Sequence, residues 1–192
     1  MTLYTRTLYG LFLWLGLSLA AQAASCPAGQ FPVCMGMCVC VPDPRQVQED
    51  MSHTAAPALA DWLLRSRDTA QAEGVLPMPP AIRQHLLAYY PAQLLDAARY
   101  KVGSNDQRGA ATAMLQNPDI RAVTLVDIIV FRTQQAAQSD VALWAHELKH
   151  VEQYQHWGVQ EFARRYTRDF DAVEAPAYEV QIKVSQALRR GQ

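Results

Sequence analysis

Apolar residues recur at helical spacing in three successive stretches of the first half of the chain, and proline stands at the start of each. Leu59, Trp62 and Leu63, for example, share one face of the first stretch. Proline suits the first turn of a helix because the N–H that it lacks has no partner there. The pattern predicts helices over residues 57–74, 79–87 and 91–98.

The period of the apolar pattern changes from helical to extended after residue 98. Residues 99–103 and 122–131 are rich in β-branched and aromatic side chains, which favour strands. We therefore expect two strands that pair in a small antiparallel sheet.

Helical periodicity returns after the second strand. Asp140 can cap a helix that runs from Val141 to about Trp157, and Gly158 can end it. A shorter helical segment is expected over 159–166.

The last helix is predicted to begin near Val173 and to end near Arg189. Proline inside a helix removes a hydrogen bond unless it lies in the first turn. Pro176 is therefore expected in the first turn, which puts the start of the helix near Val173. The expected fold class is α+β: a helical N-terminal layer, a small antiparallel sheet, and a long helix flanked by the closing C-terminal helix.

The N-terminal part of the chain has a different character. An apolar run over 11–21 is too short to span a membrane comfortably, and a small-x-small triplet follows it, as at a cleavage site. We expect a signal peptide over 1–23, a cysteine-rich segment over 24–44 and a main domain over 45–192. Prolines and charges without apolar periodicity predict a linker over 41–50. The mature chain would then be exported, to the periplasm or beyond, with no membrane span.

The composition is that of an ordinary folded protein. Half of the residues are hydrophobic, and 17 Lys and Arg stand against 18 Asp and Glu, for a net charge of −1. Disordered and fibrous classes are therefore excluded. No run of like charge exceeds a pair, whereas proteins that bind nucleic acid have a basic surplus or stripe. Nucleic acid is not an expected partner.

All four cysteines, Cys26, Cys34, Cys38 and Cys40, lie within a short segment after the predicted cleavage site. An even number in an exported chain predicts two disulfides. A bond between Cys38 and Cys40 would close a very small, strained loop, which leaves two possible pairings.

Two other interpretations of the cysteines compete with disulfides. A zinc site of four thiolates lacks the paired C-x2-C spacing that such sites use. A lipoprotein acylated on Cys26 would need a large aliphatic residue three positions upstream, where Ala23 stands. Disulfides are favoured over both.

His146, Glu147 and His150 form the pattern H-E-x-x-H within the best-predicted helix. Positions four apart on a helix point the same way, so both imidazoles can bind one zinc ion. Glu147 on the flank of the pair is suited to act as a general base toward water. The alternative is that these are surface residues of a helix, but the apolar residues around them make that arrangement costly.

A third metal ligand must come from elsewhere in the chain. His156 has the spacing of the metzincin pattern, but Gln153 stands where that pattern needs a glycine. On an unbroken helix His156 would lie about 100° from the pair and about 9 Å further along the axis. We therefore expect His156 to be a surface or capping side chain.

Glu174 is the favoured third ligand. It follows His150 by twenty-four residues and lies at the predicted start of the last helix. A glutamate from a second helix completes the two-His, one-Glu set of thermolysin-like enzymes, and Ala177 is small enough for the two helices to pack closely. The competing interpretation is an ordinary first-turn acid that is stabilised by the helix dipole.

The string His146-Glu147-Leu148-x-His150-Val151-x-Gln153, with the later Glu174-x-x-Ala177, resembles the motif of a known family. This is a gluzincin-type metallopeptidase domain, formerly a domain of unknown function, that is named after extracellular contractile injection system loci. The similar segment runs from about Leu125 to Val184. The resemblance implies zinc and peptide hydrolysis.

The sequence therefore predicts an exported zinc metallopeptidase with catalytic Glu147, metal ligands His146, His150 and Glu174, and a peptide or protein substrate. The alternative is a non-catalytic exported module that binds zinc or is clasped by disulfides. Residues 122–131 are expected to offer a strand edge to the substrate. Five residues are candidates to stabilise the oxyanion, and the sequence does not choose among them: Tyr154, Tyr166, Tyr178, Arg164 and Arg165.

Overall fold

The computed structural model describes residues 26–34, 37–103 and 119–191. The predicted signal peptide lies outside the described residues. The chain divides into two compact units between Asp43 and Pro44, and the mixture of helices and strands confirms the α+β class. Among the described helices, none has the length and apolar character needed to cross a bilayer.

The described part of the first unit is a β-hairpin held by two disulfides. Its strands are β1 (Gln30–Cys34) and β2 (Cys38–Pro42), which pair antiparallel. Cys34 is bonded to Cys38 on the facing strand, and Cys26 is bonded to Cys40. This is one of the two pairings that the sequence left open. Because no cysteine is free, the interpretations that need free thiols, the four-thiolate zinc site and the acylated Cys26, are wrong.

The second unit is mainly helical. Its described helices are α1 (Pro44–Ala72), α2 (Pro80–Leu86), α3 (Ala92–Ala97), α4 (Gln134–Ser139), α5 (Val141–Arg168) and α6 (Phe170–Arg190). The predictions of α2 and α3 are confirmed. The predicted linker over 41–50 is wrong, because α1 begins at Pro44 and contains Pro57 in its interior. Residues 44–50 and 53–55 are exposed, and an exposed helical stretch has no apolar periodicity by which to recognise it.

The sheet of the second unit has four strands in the order β3-β4-β6-β5. The strands are β3 (Leu76–Pro77), β4 (Arg99–Val102), β5 (Ala122–Leu125) and β6 (Ile128–Phe131). β4 and β6 are parallel and the other neighbours are antiparallel, so the sheet is mixed. The prediction of one strand over 122–131 is wrong, because the chain turns back at Val126 and Asp127 to make a hairpin of β5 and β6. Val126 adopts a φ of 62° there, which valine rarely does.

Aromatic side chains fix α5 on the sheet. Trp144 is fully buried, and its ring centroid lies 4.7 Å from that of Phe131 and 5.5 Å from that of Tyr100. The indole N–H of Trp144 donates a hydrogen bond of 2.7 Å to a carbonyl of α4. The hydroxyl of Tyr90 donates one of 2.6 Å to the carbonyl of Ala145. These contacts set the depth and rotation of the first turns of α5.

α5 is kinked where the sequence predicted its end. Gly158 has φ 75° and ψ 164°, a conformation that glycine adopts far more readily than other residues. The helix resumes beyond it and reaches Arg168, so the shorter predicted segment is the second half of α5.

α6 follows α5 after the single residue Asp169. The Asp169 carboxylate accepts a hydrogen bond of 3.0 Å from the N–H of Ala172 and caps the helix. α6 therefore begins at Phe170 rather than near Val173, and Pro176 lies in its second turn. The predicted start is wrong because packing can hold a helix together across one missing hydrogen bond.

Candidate metal centre

His146, Glu147 and His150 lie within the first three turns of α5. Asp140 caps the N-terminus of this helix, as predicted. Its carboxylate accepts a hydrogen bond of 2.9 Å from the N–H of Leu143. The exposed fractions of His146, Glu147 and His150 are 7%, 5% and 6%. Groups of this polarity are rarely so deeply buried unless each has a partner.

Glu174 reaches the two histidines from the second turn of α6. One carboxylate oxygen lies 3.2 Å from Nε2 of His146 and the other lies 3.5 Å from Nε2 of His150. The two Nε2 atoms are 3.3 Å apart. Ala177, one turn further along α6, has no exposed surface, and its small side chain lets the helices approach. One donor atom from each of these three side chains lies within 4.8 Å of the others, so the group could hold a metal ion.

The three donor groups are electrostatically coupled. Burial opposes ionisation of Glu174, but hydrogen bonds with His146 and His150 lower its pKa to about 2. Burial also opposes a charge on His150, but its hydrogen bond with Glu174 and the nearby charge of Glu147 raise its pKa above the ordinary value. The metal-free group therefore favours a proton on His150, and a cation that binds there competes with it.

Gln153 contacts both helices of the candidate centre. Its Oε1 lies 2.9 Å from Nδ1 of His150, and its Nε2 donates a hydrogen bond of 2.8 Å to the carbonyl of Val173. Val173 immediately precedes Glu174 in the chain. Gln153 thus connects one candidate ligand with the backbone that carries another.

His146 is held differently from His150. Its ring packs against that of Tyr178 in an edge-to-face arrangement, with centroids 4.7 Å apart. Its Nδ1 atom is buried and has no hydrogen-bond partner among the described residues. Packing therefore orients this ring without fixing which nitrogen carries the proton.

Glu147 lies beside the donor group without joining it. Its carboxylate accepts a hydrogen bond of 2.7 Å from the hydroxyl of Thr124 on β5. Both side chains are buried, so little water competes for this bond. The carboxylate is thereby held between α5 and the edge of the sheet.

The candidate centre opens onto a cleft of about 480 Å³. Its walls come from α1, from the segment that leads into β5, and from α5 and α6. Among the described strands β5 is the last of the sheet, so one of its edges has no neighbour in this part of the chain. The α1 side of the cleft is apolar and includes Leu59, Trp62 and Leu63.

His156 is not brought to the centre. It is exposed, and its Nδ1 lies 2.9 Å from the carbonyl of Glu152 on its own helix. It lines a different cleft, of about 430 Å³. The expectation of a surface role for His156 agrees with this position.

Of the five candidates for stabilising an oxyanion, the three tyrosines line the cleft of the candidate centre and the two arginines do not. Arg164 and Arg165 are each paired with Glu161 at 2.7 Å and do not line the cleft of the candidate centre. Tyr154 lines it, but its hydroxyl donates to the carbonyl of Thr124 at 3.4 Å. Tyr166 and Tyr178 line the cleft as well. Burial and a hydrogen bond with Glu174 raise the pKa of Tyr166.

Two residues of the site were not identified as functional from the sequence. Thr124 gave no signal, because its contact with Glu147 depends on the register of β5 against α5. Gln153 was visible only as part of the H-E-L-x-H-V-x-Q string and as an argument against the metzincin pattern. Its contact with Val173 depends on how α6 packs.

Comparison with known proteins gives a match over part of the chain. A family model described as the eCIS core domain matches residues 77–158. No curated protein and no solved structure matches the chain. The matched segment runs from the end of β3 to the kink of α5 and contains His146, Glu147 and His150, while Glu174 lies beyond it. The chain is thus similar to the eCIS core domain over the sheet and the helix that carries both histidines.

Proposed function

We propose that the chain is an exported zinc-dependent metallopeptidase of the gluzincin type. In this proposal His146, His150 and Glu174 bind the metal and Glu147 is the general base. The observation that carries it is the convergence of three buried donors from two helices at a cleft. The carboxylate of Glu147 lies beside them and is held separately by Thr124.

The donor set suits zinc. Two imidazole nitrogens and one carboxylate oxygen are the ligands of catalytic zinc sites, which leave a position open. Only these three donors converge among the described residues, which favours an open site over a closed structural one. Zinc, when bound, supplies Lewis acidity toward water and the scissile carbonyl.

Glu147 is suited to the proton transfers of peptide hydrolysis. Its carboxylate accepts a hydrogen bond from Thr124, which fixes its position while leaving further lone pairs to accept a proton. As general base it takes a proton from the attacking water, and it then delivers that proton to the nitrogen of the leaving amine. Burial keeps other water from competing for the carboxylate.

The substrate in this proposal is a peptide segment in extended conformation. β5 lines the cleft beside Glu147, and its outer edge, which pairs with no other described strand, can pair with a peptide backbone in the same way as another strand would. Because such pairing uses main-chain groups, it suits many sequences.

The cysteines support an exported location. Two disulfides in a short hairpin are typical of proteins that leave the reducing cytosol. An exported location, in the periplasm or outside the cell, is therefore part of the proposal. The match to the eCIS core domain supports a link between this activity and contractile injection systems.

The experiment that tests the proposal compares the wild type with Glu147→Gln. Both proteins, purified without a metal-binding tag, are analysed for zinc and incubated with an unbiased mixture of peptides. We expect near-stoichiometric zinc in both and cleavage by the wild type only. Absence of zinc, or equal cleavage by both proteins, would overturn the proposal. Zinc without cleavage would leave the non-catalytic zinc-binding module.

A further inference from the structure

The side chain of Gln153 has both of its polar ends occupied inside the protein. It is 4% exposed, its Oε1 lies 2.9 Å from Nδ1 of His150 and its Nε2 lies 2.8 Å from the carbonyl oxygen of Val173. A buried amide with both ends paired is held rigidly. Gln153 is not a donor to the metal in the proposed function, so its role lies in these two contacts.

The contact with Val173 decides which way the amide faces. A backbone carbonyl can only accept a hydrogen bond, so the atom that faces it must be the NH₂ group of Gln153. The amide oxygen therefore faces His150. Because that oxygen can also only accept, Nδ1 of His150 must carry a hydrogen and donate it.

This protonation state has a direct consequence for metal binding. A neutral imidazole with its hydrogen on Nδ1 has its lone pair on Nε2. Nε2 of His150 is the nitrogen that lies 3.3 Å from Nε2 of His146 and 3.5 Å from the carboxylate of Glu174. The free lone pair of His150 is thus directed to the point where the three donors converge.

We infer that Gln153 is a positioning residue of the metal centre. It holds His150 in the tautomer that ligates through Nε2, and it ties α5 to the turn of α6 that carries Glu174. The inference rests on the proposed zinc site. Gln153 is not one of the three metal donors and acts through His150.

Two substitutions separate the contact with His150 from the contact with Val173. Gln153→Met and Gln153→Glu both remove the donor to the Val173 carbonyl, so both should lower thermal stability. Only Gln153→Glu keeps an oxygen that accepts from Nδ1 of His150. If Gln153 acts through His150, methionine should weaken zinc binding about 10- to 100-fold, the usual effect of losing such a partner, whereas glutamate should stay close to the wild type.

The measurement is a zinc titration in competition with a coloured chelator. Gln155→Met is the matched control, because Gln155 is exposed on the same helix, and it should bind zinc as the wild type does. Equal weakening by methionine and glutamate at position 153 would show that only packing is involved and would overturn the inference. Unchanged binding by Gln153→Met would do the same.

A second measurement needs no variant at position 153 and so does not depend on its folding. NMR of the zinc-loaded wild type with ¹⁵N-labelled histidine reports which ring nitrogen carries hydrogen. We expect His150 to have hydrogen on Nδ1 and zinc on Nε2. Zinc on Nδ1 would overturn the inference while leaving the metal site in place. A wild type that binds no zinc would defeat the proposed function and this inference with it.

Discussion

The hydroxyl of Thr124 donates a hydrogen bond of 2.7 Å to the carboxylate of Glu147. Thr124 lies on β5 and Glu147 on α5, so the bond joins the sheet to the helix in the wall of the cleft. Hydrogen bonds to charged groups are stronger than those between neutral groups, and burial strengthens them further. The position of the proposed base therefore depends on the strand that lines the cleft.

Replacing Thr124 by valine should lower kcat without removing zinc. Valine keeps the shape of threonine and loses only the hydroxyl, which bonds to Glu147 rather than to the metal donors. Loss of a hydrogen bond to a charged group costs about 1.5–3 kcal/mol, which corresponds to a fall in kcat of about 10- to 100-fold. Steady-state kinetics and metal analysis check this. Thr124→Ser keeps a hydroxyl and should recover most of the activity; equal rates for the serine and valine variants would contradict the prediction.

Glu174→Gln should weaken zinc binding more than any change at Gln153. The amide keeps the size of the side chain but removes the negative charge that faces both imidazoles. We expect the affinity for zinc to fall more than about 100-fold. Loss of a residue that only hydrogen-bonds to a metal ligand usually costs about 10- to 100-fold. Glu179→Gln, at an exposed position of the same helix, should bind zinc normally. Similar affinities for the two variants would remove Glu174 from the ligand set.

The stability of the metal-free chain should fall on both sides of a central pH range. The folded-state pKa of Glu174, about 2, is below its ordinary value of 4.5, so its contribution is present above pH 4.5 and is lost as the pH falls toward 2. The pKa of His150 is raised, so its contribution is present below its ordinary pKa of 6.5 and is lost as the pH rises through the folded-state value. Thermal unfolding in EDTA at a series of pH values measures both effects. Glu174→Gln should flatten both limbs, and an unchanged profile would contradict the coupling.

Gly158→Ala should destabilise the fold by about 1–3 kcal/mol, the usual cost of forcing a side chain into a sparsely populated backbone region. Outside its own stretch of helix, no described atom lies within 4 Å of the added Cβ, so the cost comes from the backbone conformation, φ 75° and ψ 164°. Gly191→Ala is the matched control, because Gly191 has a φ of −90° that alanine adopts freely. Denaturant unfolding of both variants checks the difference, and equal stability of the two would show that the kink can relax.

The part of the site that lies on one helix could be predicted from the sequence. His146, Glu147 and His150 are fixed relative to one another by helical geometry, and the cap at Asp140 marks where that helix begins. Glu174 required one further assumption, that two helices joined by a short connection pack against each other. The structure has this packing, and it brings the Glu174 carboxylate to both imidazoles.

The rest of the site and fold depends on contacts that no local pattern encodes. The contact of Thr124 with Glu147 depends on strand register, and that of Gln153 depends on where the carbonyl of Val173 comes to lie. The turn at Val126 could not be predicted, because it contains neither glycine nor asparagine. Valine occupies the position with a positive φ instead. The first part of α1 is exposed and contributes little to the core. It therefore has no apolar stripe from which a helix could be predicted.

The donors of the centre lie on two helices that are synthesised one after the other. His146 and His150 belong to α5, whereas Glu174 and the carbonyl bonded by Gln153 belong to α6. Until α6 has emerged from the ribosome and docked, the growing chain has the two histidines of the candidate centre but not its third donor. Since domains fold as units once their segments are available, the proposed metal could bind with full affinity only after both helices have docked.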